Sequence, residues 1–290
     1  MAETLNISNF IHLNAINKNS KIPLVLIHGW GLNSAVWQPF IDNLSDDFLE
    51  KFNVITIDLP GFGLNIDKRI TPYSLQNICQ SISKTMTEPA IYLGWSLGGL
   101  VATEMALSYP EKVLGLITVA SSPRFLEKYE NTIDERIDNK NSQVQWPGIN
   151  PQVLKNFHQQ LQVDTKKTIN GFLKIQAMGS PHIRQDIKKI TALVFQHDMA
   201  SETTLEQSLK LLEASDFRKK LQDISIPFLR LYGASDSLVP KAVIEHINKL
   251  APQSDYHVFQ QASHVPFISH GDDFKEILLN WLQTKSENDF

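Results

Sequence analysis

Short, nearly continuous runs of Val, Ile and Leu alternate with helix-like segments along this chain, and that alternation restricts its fold more than any other feature. The apolar runs cover 22–27, 54–59, 90–93, 113–120 and 226–232, with a weaker one at 256–259. Runs of this kind are not polar on every second residue, which is how strands buried on both faces read. Helical patterns fill 34–44, 74–86, 97–109 and 241–250. Strands and helices in strict alternation predict an α/β fold, a mostly parallel central sheet with helices on both faces. Residues 5–16 are expected to add one or two antiparallel edge strands.

The rhythm breaks between residues 123 and 220. Residues 124–145 are polar and charge-rich and read as an exposed loop or extended helix. From 151 to 212 the apolar spacing is helical on four successive faces. Val153, Leu154, Phe157, His158 and Leu161 make the first, and Ile169, Phe172, Leu173 and 175–178 the second. Ile187, Ile190, Leu193 and Val194 make the third, and Leu205, Leu209 and Leu212 the fourth. The expected organisation is a catalytic core built from 1–122 and 221–290, with a helical lid, 123–220, inserted between two of its strands.

Composition narrows the function classes. The 290 residues are 42% hydrophobic and 20% charged with scattered Gly and Pro, so a disordered or repetitive chain is excluded. A formal charge of −4 argues against general nucleic-acid binding, which needs a basic surface to neutralise phosphates. The single cysteine, Cys79, rules out an internal disulfide and a thiolate zinc site. It reads as a core or half-buried thiol. The first basic residue is Lys18, so no charged start leads into an apolar secretory core. The uncharged stretch 22–41 contains His28, Asn33, Gln38 and Pro39 and fits a strand, loop and helix better than a membrane span. A cytoplasmic monomer with no membrane partner is the expectation.

The sharpest chemical signal is Gly94-Trp95-Ser96-Leu97-Gly98, between the run at 90–93 and the helix at 97–109. Gly-x-Ser-x-Gly in a strand–turn–helix setting is a nucleophile elbow. The turn is so tight that larger neighbours of the serine would clash, hence glycine at 94 and 98. The serine hydroxyl then stands beside the positive end of a helix, where developing negative charge is favoured.

A nucleophilic serine needs a base and a group to orient it, in the chain order Ser, acid, His for this type of fold. Asp236 follows the run at 226–232, on the loop at the strand's C-terminal end. His264 follows the last strand candidate in Ala-Ser-His-Val-Pro-Phe. Asp58 precedes the serine and Asp255 precedes a strand, so both are weaker acids for the role. An ordinary helix-capping role for Asp236 is the competing reading. His257 falls inside the strand and His270 lies a turn too late. Two backbone N–H groups should form the oxyanion hole, one from Leu97 and one from Trp30 in the loop His28-Gly29-Trp30-Gly31. Trp30 could equally be a rim aromatic against the lid, and His28 reads as a loop-bonding residue. Asp58-Leu-Pro-Gly-Phe-Gly63 matches neither the dinucleotide fingerprint nor the P-loop and reads as a structural turn. No metal-ligand spacing is seen, and the triad calls for no cofactor.

With these positions aligned, the chain resembles the α/β-hydrolase superfamily over nearly its full length, and within it the carboxylesterases of biotin synthesis. The resemblance is carried by His-Gly-Trp-Gly-Leu-Asn at 28–33, Asp-Leu-Pro-Gly-Phe-Gly at 58–63 and Gly-Trp-Ser-Leu-Gly-Gly-Leu-Val-Ala at 94–102. Val-Ala-Ser-Ser-Pro at 119–123, Trp-Pro-Gly-Ile at 146–149, Phe-Leu-Arg-Leu-Tyr-Gly at 228–233 and Pro-Phe-Ile-Ser-His at 266–270 extend it. It implies hydrolysis of the methyl ester of pimeloyl-acyl carrier protein, with Trp30, Ser96, Leu97, Phe157 and His264 lining the acyl site. Residues 124–145 look longer than the usual family connection. A broad short-chain carboxylesterase or carbon–carbon bond hydrolase would share the triad. A non-enzymatic ligand receptor on this fold would not require it.

Charge distribution bears on the partner. Residues 151–220 hold eleven Lys/Arg against seven acids, a net +4 that leaves −8 for the rest of the chain. A basic rim would steer an acidic acyl carrier protein to the site, and Lys166, Lys167, Arg184, Lys188 and Lys189 are the docking candidates. The competing reading is the solvated face of ordinary helices.

Overall fold

The structure is a computed structural model that describes residues 11–12, 22–130, 143–178 and 183–286. The described strands are β1 (Ile11–His12), β2 (Ile22–Ile27), β3 (Phe52–Ile57), β4 (Ala90–Trp95), β5 (Val113–Val119), β6 (Lys128–Glu130), β7 (Gln143–Trp146), β8 (Phe228–Gly233) and β9 (Asp255–Phe259). Seven of them form one sheet in the order β1-β3-β2-β4-β5-β8-β9. Every neighbouring pair is parallel except β1 with β3. The expected antiparallel edge is therefore present at Ile11–His12, and the remainder of 5–16 lies outside the described residues. Strands β4 and β8 are buried at every position, as their unbroken apolar runs require.

The helices in chain order are α1 (Gln38–Asp42), α2 (Asp46–Lys51), α3 (Leu75–Thr85), α4 (Leu97–Ser108), α5 (Pro151–Val163), α6 (Thr165–Ala177), α7 (Ile183–Val194), α8 (Glu202–Ala214), α9 (Val243–Leu250), α10 (Pro266–Ser269) and α11 (Gly271–Ser286). Helix α4 packs on β4 and β5 and is covered by α3. It is the most thoroughly buried helix, with Leu97–Ala106 all inside. A helix enclosed all round needs no polar face, and α4 has almost none.

Helices α5–α8 follow one another between β7 and β8. Asn150, Asp164 and Ser201 cap α5, α6 and α8, each side-chain oxygen accepting a backbone N–H of the first turn. Their inward faces carry Leu154, Phe157 and Leu161 on α5, Ile169, Phe172 and Leu173 on α6, Ile190 and Val194 on α7, and Leu205, Leu209 and Leu212 on α8. Helix α5 packs against α6 and α8, and α6 against α7.

Two readings of the sequence change. Strand β3 starts at Phe52 rather than 54, because Phe52 and Asn53 pair with Ile22 and Pro23. It stops at Ile57, which puts Asp58 and Leu59 on the loop. The segment 124–145 is neither a loop nor a helix at its ends: β6 pairs antiparallel with β7. Its polarity was misleading because this two-stranded ribbon is anchored by few apolar groups, chiefly Phe125 and Trp146. Residues 131–142 lie outside the described residues.

Candidate active site

The elbow sits where β4 ends and α4 begins. Ser96 adopts φ 54°, ψ −116°, a strained backbone conformation for a residue with a Cβ. Three contacts hold it there. Its N–H donates to the Val119 carbonyl (2.9 Å), and its own carbonyl accepts from the Gly99 N–H (2.9 Å) and the Ser121 hydroxyl (2.8 Å). A Cβ at Gly94 would overlap the Gly98 carbonyl, and one at Gly98 the Ile27 carbonyl. Glycine is thus required at both positions by close backbone approach.

Asp236 lies on the loop after β8, at the C-terminal end of the sheet. Its Oδ1 accepts the Leu238 and Val239 N–H groups (2.8 and 3.0 Å), and its Oδ2 faces His264 Nδ1 at 2.8 Å. Both side chains are 1% exposed. With Nδ1–H given to the carboxylate, His264 Nε2 is the acceptor nitrogen, and it has no hydrogen-bond partner among the described residues. The ring is thereby oriented, and its acceptor nitrogen is the one left open for a proton. Two neighbours fix the histidine's backbone. Its N–H donates to the Gln176 carbonyl on α6 (3.1 Å), and its carbonyl accepts from Trp95 Nε1 (2.8 Å).

The loop after β2 is set by His28 and Asp58. His28 Nε2 accepts the Leu59 N–H (2.9 Å), so its Nδ1–H donates to the Gly29 carbonyl (2.8 Å). Complete burial lowers the His28 pKa, outweighing the opposing pull of Asp58, and the ring stays neutral. Asp58 accepts the Ser34 and Leu64 N–H groups (2.6 and 2.9 Å) and so ties two loops together.

Trp30 is fully buried rather than on a rim. Its Nε1 donates to the Leu205 carbonyl on α8 (3.0 Å), and its ring meets Phe172 edge-on at 4.8 Å and Phe157 at 6.5 Å. Aromatic groups from α5 and α6 are thus packed directly on the candidate oxyanion loop. Leu97, the other candidate donor, opens α4 and is buried.

The rival residues lie elsewhere. His257 is in β9 against Phe259, and His270 follows α10 beside the Ser269 hydroxyl. Asp255 accepts from Trp281 Nε1 (2.8 Å). Cys79 is fully buried in α3, its thiol against the Val101 carbonyl. Among the docking candidates, Lys166 and Lys167 are exposed on α6 and line an outer groove of about 760 Å³ with Lys174, Val163 and Asp164. Arg184, Lys188 and Lys189 are exposed on α7 and do not line that groove.

Sequence reasoning missed Gln176. It falls inside 175–178, read as an apolar face, yet it is fully buried and carries the carbonyl that holds His264. The available signal was a polar residue four positions after Phe172 and seven after Ile169, on the inward stripe of α6.

Comparison with known proteins bears on this geometry. Residues 22–271 match the family model for the alpha/beta hydrolase fold. The chain is 40% identical over 260 residues to proteins named pimeloyl-[acyl-carrier protein] methyl ester esterase from Yersinia pseudotuberculosis and Yersinia enterocolitica. Each alignment covers 90% of this chain and 93% of the relative. Among solved structures, an esterase from Exiguobacterium antarcticum superposes with a TM-score of 0.77 at 22% identity, covering 94% of this chain and 95% of the other. An esterase from Thermogutta terrifontis does so with 0.70 at 20% identity, covering 94% of each. The solved structures establish likeness of fold alone, whereas the family match over 22–271 spans the elbow, the acid loop and the histidine loop. The chain belongs to the α/β-hydrolase family.

Proposed function

We propose that this protein is a serine carboxylesterase that hydrolyses the methyl ester of pimeloyl-acyl carrier protein, freeing the distal carboxylate for biotin synthesis. The observation that carries the reading is the oriented pair Asp236–His264 together with a strained elbow serine whose neighbour Trp95 bonds the His264 carbonyl, in a chain 40% identical to esterases named for that substrate.

His264, oriented by Asp236, accepts the Ser96 proton at Nε2 as Oγ attacks the ester carbonyl. The Trp30 and Leu97 N–H groups hold the tetrahedral oxyanion, where each such donor is typically worth about 10²–10³ in turnover. His264 then returns the proton to the departing methoxy oxygen, releasing methanol. Water, deprotonated by the same Nε2, attacks the acyl carbon and regenerates Ser96. In this reading α5–α8 form a lid, Phe157 lines the acyl chain, and the basic lid faces the acidic carrier.

Ser96→Ala is expected to abolish ester cleavage, measured on a methyl ester and on an activated aryl ester. Turnover near that of the parent would remove Ser96 from the mechanism. Comparing the carrier-bound with the free methyl ester, at low and high salt, tests the substrate. A carrier preference that weakens with salt is expected, and equal rates on both at every salt concentration would assign a generalist esterase.

A further inference from the structure

Gln176 is the one described residue with two buried side-chain polar atoms, Oε1 and Nε2, that have no hydrogen-bond partner among the described residues. Its side chain is fully buried. A buried amide without a partner in the fold is destabilising, so a fold keeps one only where something else gains from it.

Its position indicates what gains. The Gln176 carbonyl receives the His264 N–H at 3.1 Å, so the last turn of α6 lies on the histidine loop. One turn earlier Phe172 meets the Trp30 ring, and two turns earlier Ile169 packs where a Cβ on Gly31 would come within 2.8 Å. The inward stripe of α6 therefore runs from the oxyanion loop to the base, and Gln176 stands at the end next to the base. The other open polar atoms on that loop are Ser263 Oγ and His264 Nε2, and of the two only the imidazole nitrogen can take a proton from water. Asp236 already bonds Leu238, Val239 and His264.

We propose that the Gln176 amide is a positioning group for the deacylating water, holding it against His264 Nε2. The inference rests on the serine esterase reading above. One water proton passes to Nε2 while its oxygen bonds the acyl carbon. The bond from that carbon to Ser96 Oγ then breaks, and Oγ takes the proton back from His264. The amide accepts the water's second O–H, the one not being transferred, and so fixes which lone pair faces the acyl carbon. The leaving alcohol oxygen and the attacking oxygen occupy the same side of the acyl carbon, and an aryl leaving group needs no such help. Acylation by an activated ester therefore depends on the amide far less than deacylation does.

The test is Gln176→Met, which keeps the length of the side chain and removes the amide, in the full-length protein with a p-nitrophenyl ester. The expected result is a retained pre-steady-state burst, a steady-state rate lower by tenfold or more, and a melting temperature no lower than the parent's. Stability should not fall, because the unpartnered amide has gone. Gln176→Leu should behave alike. An unchanged steady-state rate, or burst and steady-state rates falling together, would overturn the proposal. So would a marked loss of thermal stability in both variants, which would assign the amide to packing. If the esterase reading itself fails, the parent protein shows neither burst nor turnover, an outcome distinct from any of these.

Discussion

Ser96 is the residue at which backbone strain and the proposed chemistry meet. Its φ of 54° is tolerated by glycine and strained for serine, and strain of this kind is worth about 1–3 kcal/mol. Ser96→Gly should remove it at the expense of about 0.5–1 kcal/mol of extra unfolded-chain entropy. Urea unfolding is therefore expected to place Ser96→Gly about 1 kcal/mol above Ser96→Ala, although neither should turn over ester. Equal midpoints would mean that the neighbouring hydrogen bonds, not strain, govern this turn. Asp236→Asn should leave the fold intact and lower turnover by about 10⁴, because an amide can select the wrong imidazole tautomer. Retention of most activity would remove Asp236 from its orienting role.

His28 gives the loop a pH dependence. Its folded pKa lies below the ordinary 6.5 because burial disfavours the imidazolium, which would also break the bond from the Leu59 N–H. The unfolded chain therefore binds the proton first as pH falls. The stabilisation is complete above about 6.5 and is lost as the pH drops from there toward the folded pKa. Half-buried His257, lowered for the same reason, acts in the same direction. Thermal melts between pH 8 and 5 should show falling stability, with a smaller slope in His28→Asn. An identical slope would place the acid sensitivity elsewhere.

At the scale of elements, α5 and α6 matter through the stack they build on Trp30. Phe157 lies 5.5 Å from Phe172 and 6.5 Å from Trp30, ring to ring, so α5 completes an aromatic wall over the candidate oxyanion loop. Phe157→Ala is expected to raise KM for a pimeloyl ester about tenfold while changing kcat less. Tenfold is about 1.4 kcal/mol, roughly half or more of the apolar contact a phenyl ring makes, about 1.5–3 kcal/mol when fully buried. An acetyl ester, too short to reach the wall, serves as the control. The same KM shift on both esters, or on neither, would assign the ring to helix packing alone.

At the scale of the molecule, charge is divided unevenly: +4 over 151–220 and −8 elsewhere. Lys166 and Lys167 border the outer groove at the α5–α6 turn, beside the 87%-exposed Val163. A basic rim around one apolar side chain suits an acidic partner helix with an apolar contact of its own. Reversing both charges, Lys166→Glu with Lys167→Glu, should lower kcat/KM for the carrier-bound ester about tenfold at low salt and leave the free ester unchanged. High salt should shrink the difference. An equal effect on both esters would place the damage in the lid rather than in docking.

Much of this protein was legible because its strongest constraints are local. Continuous apolar runs announce buried parallel strands wherever they occur, and β2, β4 and β5 appear at or within a residue or two of where their runs lie. Gly94, Ser96 and Gly98 are legible because a turn that tight excludes other side chains by contact with its own backbone. Asp236 and His264 could be picked by chain order, since each follows a strand of the same sheet. Tertiary structure decided the rest. The strands β6 and β7 were hidden because pairing between distant polar segments leaves no periodic signature. The burial of Trp30 depends on α6 and α8, more than 130 residues away along the chain. Gln176 was hidden most completely, since its inward stripe predicts burial but not that its carbonyl would meet His264, 88 residues later. Local sterics and burial act within a few residues and are written in the sequence. Which polar atoms end up open beside which others is settled only when distant segments close over them.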